Sequence, residues 1–320
     1  MQVLDQYSTG RCVIYNADTV EVAQSLPTES VDFSVFSPPF ASLYTYSNSD
    51  RDMGNVSSHA EFWDQYRYLI TEQFRVIKTG RNIAIHCMNL PTSKQNDGFI
   101  GIQDFRGDLI REYQSAGFIY HAEVCIWKCP VVSVTRTKAL GLLHKQIKKD
   151  SAMSRMGIPD YVIVMRKPGE NLDPVAGEFK YYVGENPPPG FERIDRHDGS
   201  HFWMPGPQGT SVDIWQKYAS PVWDDINQTD TLNFREGRED DDERHICPLQ
   251  LDVIERCLQL WSNPDDVVWT PFLGIGSEAY MAIKLGRKAI GVELKTSYYE
   301  LAKRNIDLAV ERQFDLFTVA

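Results

Sequence analysis

Two apolar runs in this chain stop abruptly at loops of restricted backbone. Val31-Asp32-Phe33-Ser34-Val35-Phe36 runs into Ser37-Pro38-Pro39-Phe40, and Val267-Val268-Trp269 runs into Thr270-Pro271-Phe272-Leu273-Gly274-Ile275-Gly276. Each unit reads as a strand that ends in a rigid or glycine-lined loop at its carboxyl end. Open α/β sheets bind ligands along that edge. More than two hundred residues separate the units, so a fold that joins them draws on both ends of the chain.

The rest of the sequence supports such a fold. Strand-like stretches at Cys12–Tyr15, 31–36, Asn82–His86 and Tyr120–Trp127 alternate with helix-like ones at Val20–Leu26, Phe62–Ile77 and Phe105–Ala116. In the second helix Phe62, Tyr66, Leu69, Ile70, Phe74 and Ile77 recur at helical spacing, and Gly80 follows as a stop. The rhythm returns after His245, with helices at Leu249–Trp261, Ser277–Leu285 and Tyr298–Leu308 and strands at 267–269 and Ala289–Val292. Such alternation predicts an α/β fold with a mostly parallel sheet. Between these halves, 169–222 holds Pro187-Pro188-Pro189-Gly190 and Pro205-Gly206-Pro207 with many aromatics and little periodicity, as in a loop-rich insertion. The expected division is 1–130 and 223–320 as two halves of one core, with 131–222 as the insertion.

A net charge of −11 argues against a protein that coats nucleic acid with its whole surface. Charge is nevertheless uneven. Arg136, Lys138, Lys145, Lys148, Lys149, Arg155, Arg166 and Lys167 crowd one segment against only Asp150 and Asp160, and 236–243 is an acidic run that reads as a solvated connector. A local basic face suits a phosphate-bearing partner. The six cysteines form no CxxC pair and read as reduced structural thiols, with no zinc site. No run reaches the length of a membrane span and the start has no signal-peptide character, so a cytoplasmic location and no membrane partner are expected.

Each loop implies a chemistry. Gly274-x-Gly276 opening a helix offers close backbone approach and amide donors, and Glu293, seventeen residues beyond Gly276, ends the next strand where a carboxylate accepts both ribose hydroxyls. Ala279 completes a Gly-x-Gly-x-x-Ala pattern that a nicotinamide dehydrogenase also uses. Such enzymes open their nucleotide domain with this unit, whereas here it stands near the end of the chain. In the other loop two prolines lock the backbone and lack amide donors. A planar amine would donate to Ser37 Oγ and the Pro38 carbonyl while its ring stacks on Phe40.

Taken together, the chain resembles the β-class DNA amino-methyltransferases, bacterial and phage enzymes that modify exocyclic amines of adenine or cytosine. The matching stretches are Tyr15-Asn16-Ala17-Asp18 through Ser37-Pro38-Pro39-Phe40, and His245-Ile246-Cys247-Pro248 through Pro271–Gly276 to Gly291-Val292-Glu293. The order also matches, with catalytic loop, recognition region and cofactor loop in turn. The resemblance implies a Rossmann-like methyltransferase sheet with S-adenosyl-L-methionine as cofactor. It assigns Glu293 to the ribose, Asp18 to the adenine amine, and Thr270, Pro271, Phe272, Gly274, Gly276 and Ser277 to the methionine part, with His245 and Pro248 lining that side. Two departures stand out. Thr270 replaces a common Asp, and Ser277-Glu278 stands where small or hydroxyl residues often follow.

By this resemblance Ser37, Pro38, Pro39 and Phe40 form the catalytic loop, no covalent enzyme intermediate is needed, and the base leaves the duplex to reach Phe40. Serine at position 37 is more usual in N4-cytosine enzymes, and Asp or Asn in N6-adenine enzymes. Lys145, Lys148, Lys149 and Arg155 are candidates for phosphate contacts, which position a duplex without reading it. Double-stranded DNA is the expected partner, with or without a cognate restriction endonuclease, for a monomer or homodimer. An RNA or protein-amide acceptor is the alternative for the same cofactor, and a silent DNA-binding module is a further one.

Overall fold

The computed structural model describes residues 3–40, 52–56, 59–92, 94, 98–137, 140–177, 179–196, 199–233 and 248–318, of which 59, 136, 137, 140 and 312–318 are described by their backbone alone. His245 and the acidic run 236–243 therefore lie outside the described residues.

Among the described residues, the centre is a nine-stranded sheet assembled from both chain ends. Its strands are β1 (Val3–Ser8), β2 (Cys12–Ala17), β3 (Phe33–Phe36), β4 (Asn82–Met88), β7 (Ile119–Ile126), β8 (Asp160–Arg166), β11 (Val222–Trp223), β12 (Val267–Thr270) and β13 (Lys288–Glu293). Their spatial order is β1-β2-β13-β12-β3-β4-β8-β7-β11. The five strands from β2 to β4 are parallel, while β8 is antiparallel to both its neighbours. The short hairpins β5–β6 (Leu90–Thr92, Gly101–Gln103) and β9–β10 (Phe191–Asp195, His201–Pro205) stand outside the sheet.

Side-chain alternation explains why both faces are covered. Phe33, Val35, Ala84, Val162 and Val164 face one core together with α7 (Leu251–Trp261), α8 (Ser277–Lys284) and α9 (Thr296–Thr318). Phe36, Ile83, Ile85, Ile163 and Met165 face the other, against α2 (His59–Val76) and α3 (Phe105–Ser115), while α1 (Thr19–Ser25) adds Ala23. A strand buried on both faces reads as a continuous apolar run, which makes β3, β4 and β12 legible in the sequence.

Within 131–222 the structure departs from the expected division. Asp160–Arg166 is a sheet strand pairing along its whole length with β4 and β7, so this part of the segment belongs to the core. Arg166 and Lys167 follow suit. Lys167 Nζ donates to the Ile77 carbonyl at 2.8 Å and Arg166 Nε to the Gly80 carbonyl at 3.2 Å. Their charges fasten strand ends. The basic face is left to α5 (His144–Lys149), which follows the short α4 (Pro130–Thr137).

The remaining part, around α6 (Ser211–Tyr218), has a small core of its own, built on Tyr182, Val183, Ile214 and Tyr218. It is latched to the sheet by Arg256 of α7. That guanidinium is fully buried, with its central carbon 5.2–5.4 Å from the ring centres of Tyr182, Tyr218 and Trp223 and an Nη 2.9 Å from Asp225 Oδ1. A buried cation is tolerable only with such partners.

Candidate active site

β3 and β12 lie side by side in parallel register, with Val268 opposite Phe33 and Trp269 opposite Ser34. Ser34 Oγ donates to the Trp269 carbonyl at 2.6 Å and fastens the pair. Both loops singled out above therefore emerge at the same edge. Phe36 and Phe272 bring them into contact, with ring centres 5.9 Å apart.

The glycine loop is held from below. Leu273 N–H donates to the Val292 carbonyl at 2.8 Å, and Gly276 N–H to the Leu273 carbonyl at 2.9 Å. Gly276, at φ +91°, caps α8, and a Cβ there would stand 3.2 Å from that of Ala302, so both conformation and packing demand glycine. Gly274 differs. Its φ is +54°, but nothing lies within 4 Å of where a Cβ would stand. The space beside it is open on the side a ligand would take.

Glu293 clamps this loop to the end of β13. Its Oε2 accepts from Gly274 N–H and its Oε1 from Lys295 N–H, both at 2.8 Å. Burial pushes its carboxyl up to about 7, against those two amides, and the charge of Asp52 adds to the rise. Asn16 locks the neighbouring strand end, donating to the Glu293 and Leu294 carbonyls at 2.9 and 3.0 Å. Asp18, read from the sequence as an adenine contact, is the N-cap of α1. Its Oδ1 accepts from Val20 and Glu21 N–H at 2.9 and 3.0 Å, which leaves Oδ2 as the oxygen for any ligand. Pro248 is half-buried just before α7, Pro271 is buried, and Phe272 is half-buried with its ring 6.3 Å from and near-parallel to Tyr66. Thr270 is buried, its hydroxyl a long 3.5 Å from the Phe272 carbonyl.

At the other loop Pro38 is buried while Ser37, Pro39 and Phe40 are partly accessible. The ring of Phe40 is less outward than expected. It meets Phe105 edge-on at 6.1 Å, at the margin of an aromatic cluster with Phe62 and Trp63. That cluster fixes the ring and leaves part of it accessible.

Sequence reading missed what stands behind Ser37. Its Oγ lies 2.8 Å from His86 Nδ1, and His86 Nε2 lies 3.1 Å from Asp160 Oδ2. Lys128 Nζ reaches the same oxygen at 2.5 Å. Burial opposes ionisation of Asp160, but the hydrogen bond and charge of His86 and the Lys128 ammonium outweigh it and hold the carboxyl below its usual range. These residues sit at the end of β4, the start of β8 and just past β7, a junction of antiparallel strands that no local pattern announces.

The candidate phosphate contacts split. Lys145, Lys148 and Lys149 are exposed on α5, and among the described residues none is ion-paired. Arg155 is half-buried, its stem against Gly141 and its backbone N–H donating to the Gly141 carbonyl at 3.0 Å, so it supports the segment as much as it offers charge.

The cofactor implied by the sequence fits the residues present. Some side-chain groups with spare hydrogen-bonding capacity stand at this edge, while others, such as Asn82 Oδ1, Gln73 Nε2 and Gln250 Oε1, lie elsewhere. Ser277 Oγ in the first turn of α8 and Asp52 Oδ2 are both buried without a hydrogen-bond partner, and Glu293 and the space beside Gly274 face the same loop. Buried polar atoms are normally satisfied, so Ser277 Oγ and Asp52 Oδ2 have capacity for a ligand beside the glycine loop.

Comparison with known proteins agrees. A family model described as DNA methylase, of the N6/N4 methyltransferase class, matches residues 31–304. The type II methyltransferase M.ScaI of Streptomyces caespitosus is 31% identical over 313 residues, covering 96% of this chain and 85% of the relative. A protein of Thermus thermophilus described as a DNA modification methylase, solved with S-adenosyl-L-methionine, superposes with TM-score 0.61 at 20% identity over 94% of this chain and 96% of its own. The cytosine-N4-specific PvuII DNA methyltransferase does so with TM-score 0.61 at 15% identity, over 95% and 90%. Among the described residues no helix is long and apolar enough to cross a membrane. The chain belongs to the N6/N4 DNA methylase family, enzymes that move a methyl group from S-adenosyl-L-methionine to an exocyclic amine of a DNA base.

Proposed function

We propose that Ser37, Pro38 and Phe40 hold the amine of a flipped base, with the N4 of cytosine as the preferred target, while the Pro271–Ser277 loop, Asp18, Pro248 and Glu293 hold the cofactor. The observation that carries this reading is the meeting of the two loops at Phe36 and Phe272 on adjacent parallel strands. S-adenosyl-L-methionine, when bound, supplies an electrophilic methyl on a sulfonium. The chain's own residues do the rest. An exocyclic amine is a poor nucleophile because its lone pair is delocalised into the ring. Hydrogen bonds to Ser37 Oγ and the Pro38 carbonyl favour a more tetrahedral nitrogen, and the Phe40 ring fixes the base plane. In-line placement of this kind contributes up to roughly 7–11 kcal/mol in well-oriented systems.

Cytosine is favoured because position 37 is serine and because the PvuII enzyme, similar in fold, is cytosine-N4-specific. Lys145, Lys148 and Lys149 on α5 take the duplex phosphates, and the segment around α6 faces the bases. Glu293 holds the ribose through the lone pairs its two backbone partners leave free. Asp52, whose second oxygen has no partner, supplies the carboxylate for the methionine ammonium that Thr270 cannot. The enzyme acts in the cytoplasm of a bacterial or phage-infected cell. The test is expression in a methylation-free host followed by sequencing of that DNA with modification detection. N4-methylcytosine in one sequence context is expected. N6-methyladenine would overturn the base assignment, and unmodified DNA from soluble, cofactor-binding protein would overturn the acceptor.

A further inference from the structure

We infer that His86, Asp160 and Lys128 form a polarity relay that commits Ser37 to accepting hydrogen bonds from the base, so that the site admits an amine and rejects a ring carbonyl at the same position. The inference rests on the assignment of Ser37 as the amine contact.

A serine hydroxyl alone cannot make this distinction. It rotates, donates or accepts, and would greet the amine of cytosine and the carbonyl of uracil alike. Here its rotation is settled from behind. Asp160 is held ionised by its neighbours, and its Oδ2 only accepts. The hydrogen between that oxygen and the imidazole therefore sits on His86 Nε2. A neutral imidazole with Nε2 protonated presents a bare lone pair at Nδ1. Across the 2.8 Å contact, the only hydrogen available belongs to the serine, which donates to Nδ1. With its one hydrogen spent, Ser37 Oγ turns lone pairs alone toward the base. Lys128 balances the carboxylate on the same oxygen, so the trio carries no net charge while the imidazole is neutral.

The arrangement is shielded. The side chains of His86, Asp160 and Lys128 are 12%, 9% and 17% exposed, so water competes little with these bonds. It also draws on three strands, since His86 lies on β4, Asp160 opens β8 opposite Met88 and Ile126, and Lys128 follows β7. His86, Asp160 and Lys128 are positioning residues acting through Ser37. The relay converts an ambiguous hydroxyl into a directional one, and a site with a committed acceptor rejects a carbonyl because two lone pairs are left facing each other.

The first measurement uses the parent protein. Nitrogen-15 NMR of labelled histidine in the free enzyme is expected to find His86 with its proton on Nε2, and a proton on Nδ1 would overturn the relay. This reading stands even where a variant fails to fold. The second is a double-mutant cycle on single-turnover methyl transfer to DNA carrying the site identified by sequencing. His86→Leu is expected to slow transfer at least ~10-fold with cofactor affinity unchanged. The His86→Leu/Ser37→Ala double variant should be no slower than the slower single, because both act through one hydroxyl. Multiplicative losses, or a parental rate in His86→Leu, would overturn the inference.

The third is binding to duplex with uracil replacing the target cytosine, or hypoxanthine replacing adenine. The parent is expected to prefer the amine-bearing duplex by roughly 10-fold or more, and His86→Leu to narrow that ratio, since the hydroxyl is then free to turn. An unchanged ratio would count against the relay. If Ser37→Ala transfers at the parental rate, the assignment of Ser37 itself has failed. If it is slow while His86→Leu is not, only the relay has.

Discussion

The two ends of the sheet use the same residue types in opposite ways. At the amino-terminal edge charges are matched. Asp32 accepts from Lys78 Nζ at 2.5 Å and Val267 N–H at 2.9 Å, Asp266 pairs with Arg81, and Arg287 donates to the carbonyls of Leu258, Leu285 and Ser262. At the carboxyl edge Ser277 Oγ and Asp52 Oδ2 are buried without partners, and burial pushes Glu278 up to about 8 and Glu293 up to about 7. The first edge is closed largely by the chain's own pairs, with Asn82 Oδ1 left over, whereas the second keeps polar capacity beside the glycine loop.

Substitutions should separate the edges, beginning with the largest effect. Arg81→Ala strands the buried Asp266 and is expected to lower unfolding stability by about 3–5 kcal/mol, with methyl transfer per folded molecule close to parental. Denaturant melts and single-turnover assays check it, and a selective loss of transfer would break the comparison. Ser37→Ala should do the reverse. Transfer falls by roughly 10²-fold while stability changes by less than about 1 kcal/mol, as for removal of one positioned hydrogen-bonding group. Equal damage to both properties would place Ser37 among the structural groups.

Two smaller effects turn on protonation. Glu278 has its folded carboxyl raised above the unfolded value, so its contribution is fully present below the unfolded range and is lost as pH rises through about 8. Glu278→Gln should therefore stabilise the protein by roughly 1–3 kcal/mol at pH 8 and by much less at pH 5. A gain independent of pH would remove the ionisation argument. Glu293 follows the same sign, but the ribose contact proposed above would favour its ionised form, which accepts hydroxyls. Cofactor affinity is expected to rise up to ~10-fold from pH 6 to pH 8, with most of the change around 7, and to lose that slope in Glu293→Gln. Calorimetric titration across that range measures it.

Much of this was legible from residue order because local rules and burial agree. The strands buried on both faces are apolar throughout, and the helices between them carry a helical stripe, so the parallel half of the sheet and both loops are written in short windows. Where sequence reading failed, distant partners or mixed signals decided. β8 went unread because Val162–Met165 sits amid lysines and arginines, and the charge pattern drew attention away from four apolar residues. Ser37 meets His86 because β3 and β4 pair in parallel register, and Asp160 and Lys128 join them because β8 runs antiparallel between β4 and β7. His86 and Asp160 are 74 residues apart, a spacing without meaning until the register is known. Asp18 shows the converse. It stood in the expected place, yet half its hydrogen-bonding capacity belongs to the helix it caps.

Arg256 sets the terms on which this protein can exchange the segment around α6, the one proposed above to face the bases. Its guanidinium closes the seam between α7 and the segment around α6, surrounded by Tyr182, Tyr218, Trp223 and Asp225. An exchange of recognition segments between enzymes of this kind has to transplant that receptacle whole, or replace Arg256 with an apolar residue at the same time. A graft that brings new base contacts but omits the three rings and the carboxylate would leave a bare cation in the core. It would fail in folding before its specificity could be tried. Variation in this chain is therefore expected to be cheapest where the latch does not reach, on the outer turns of β9 and β10 and on α5.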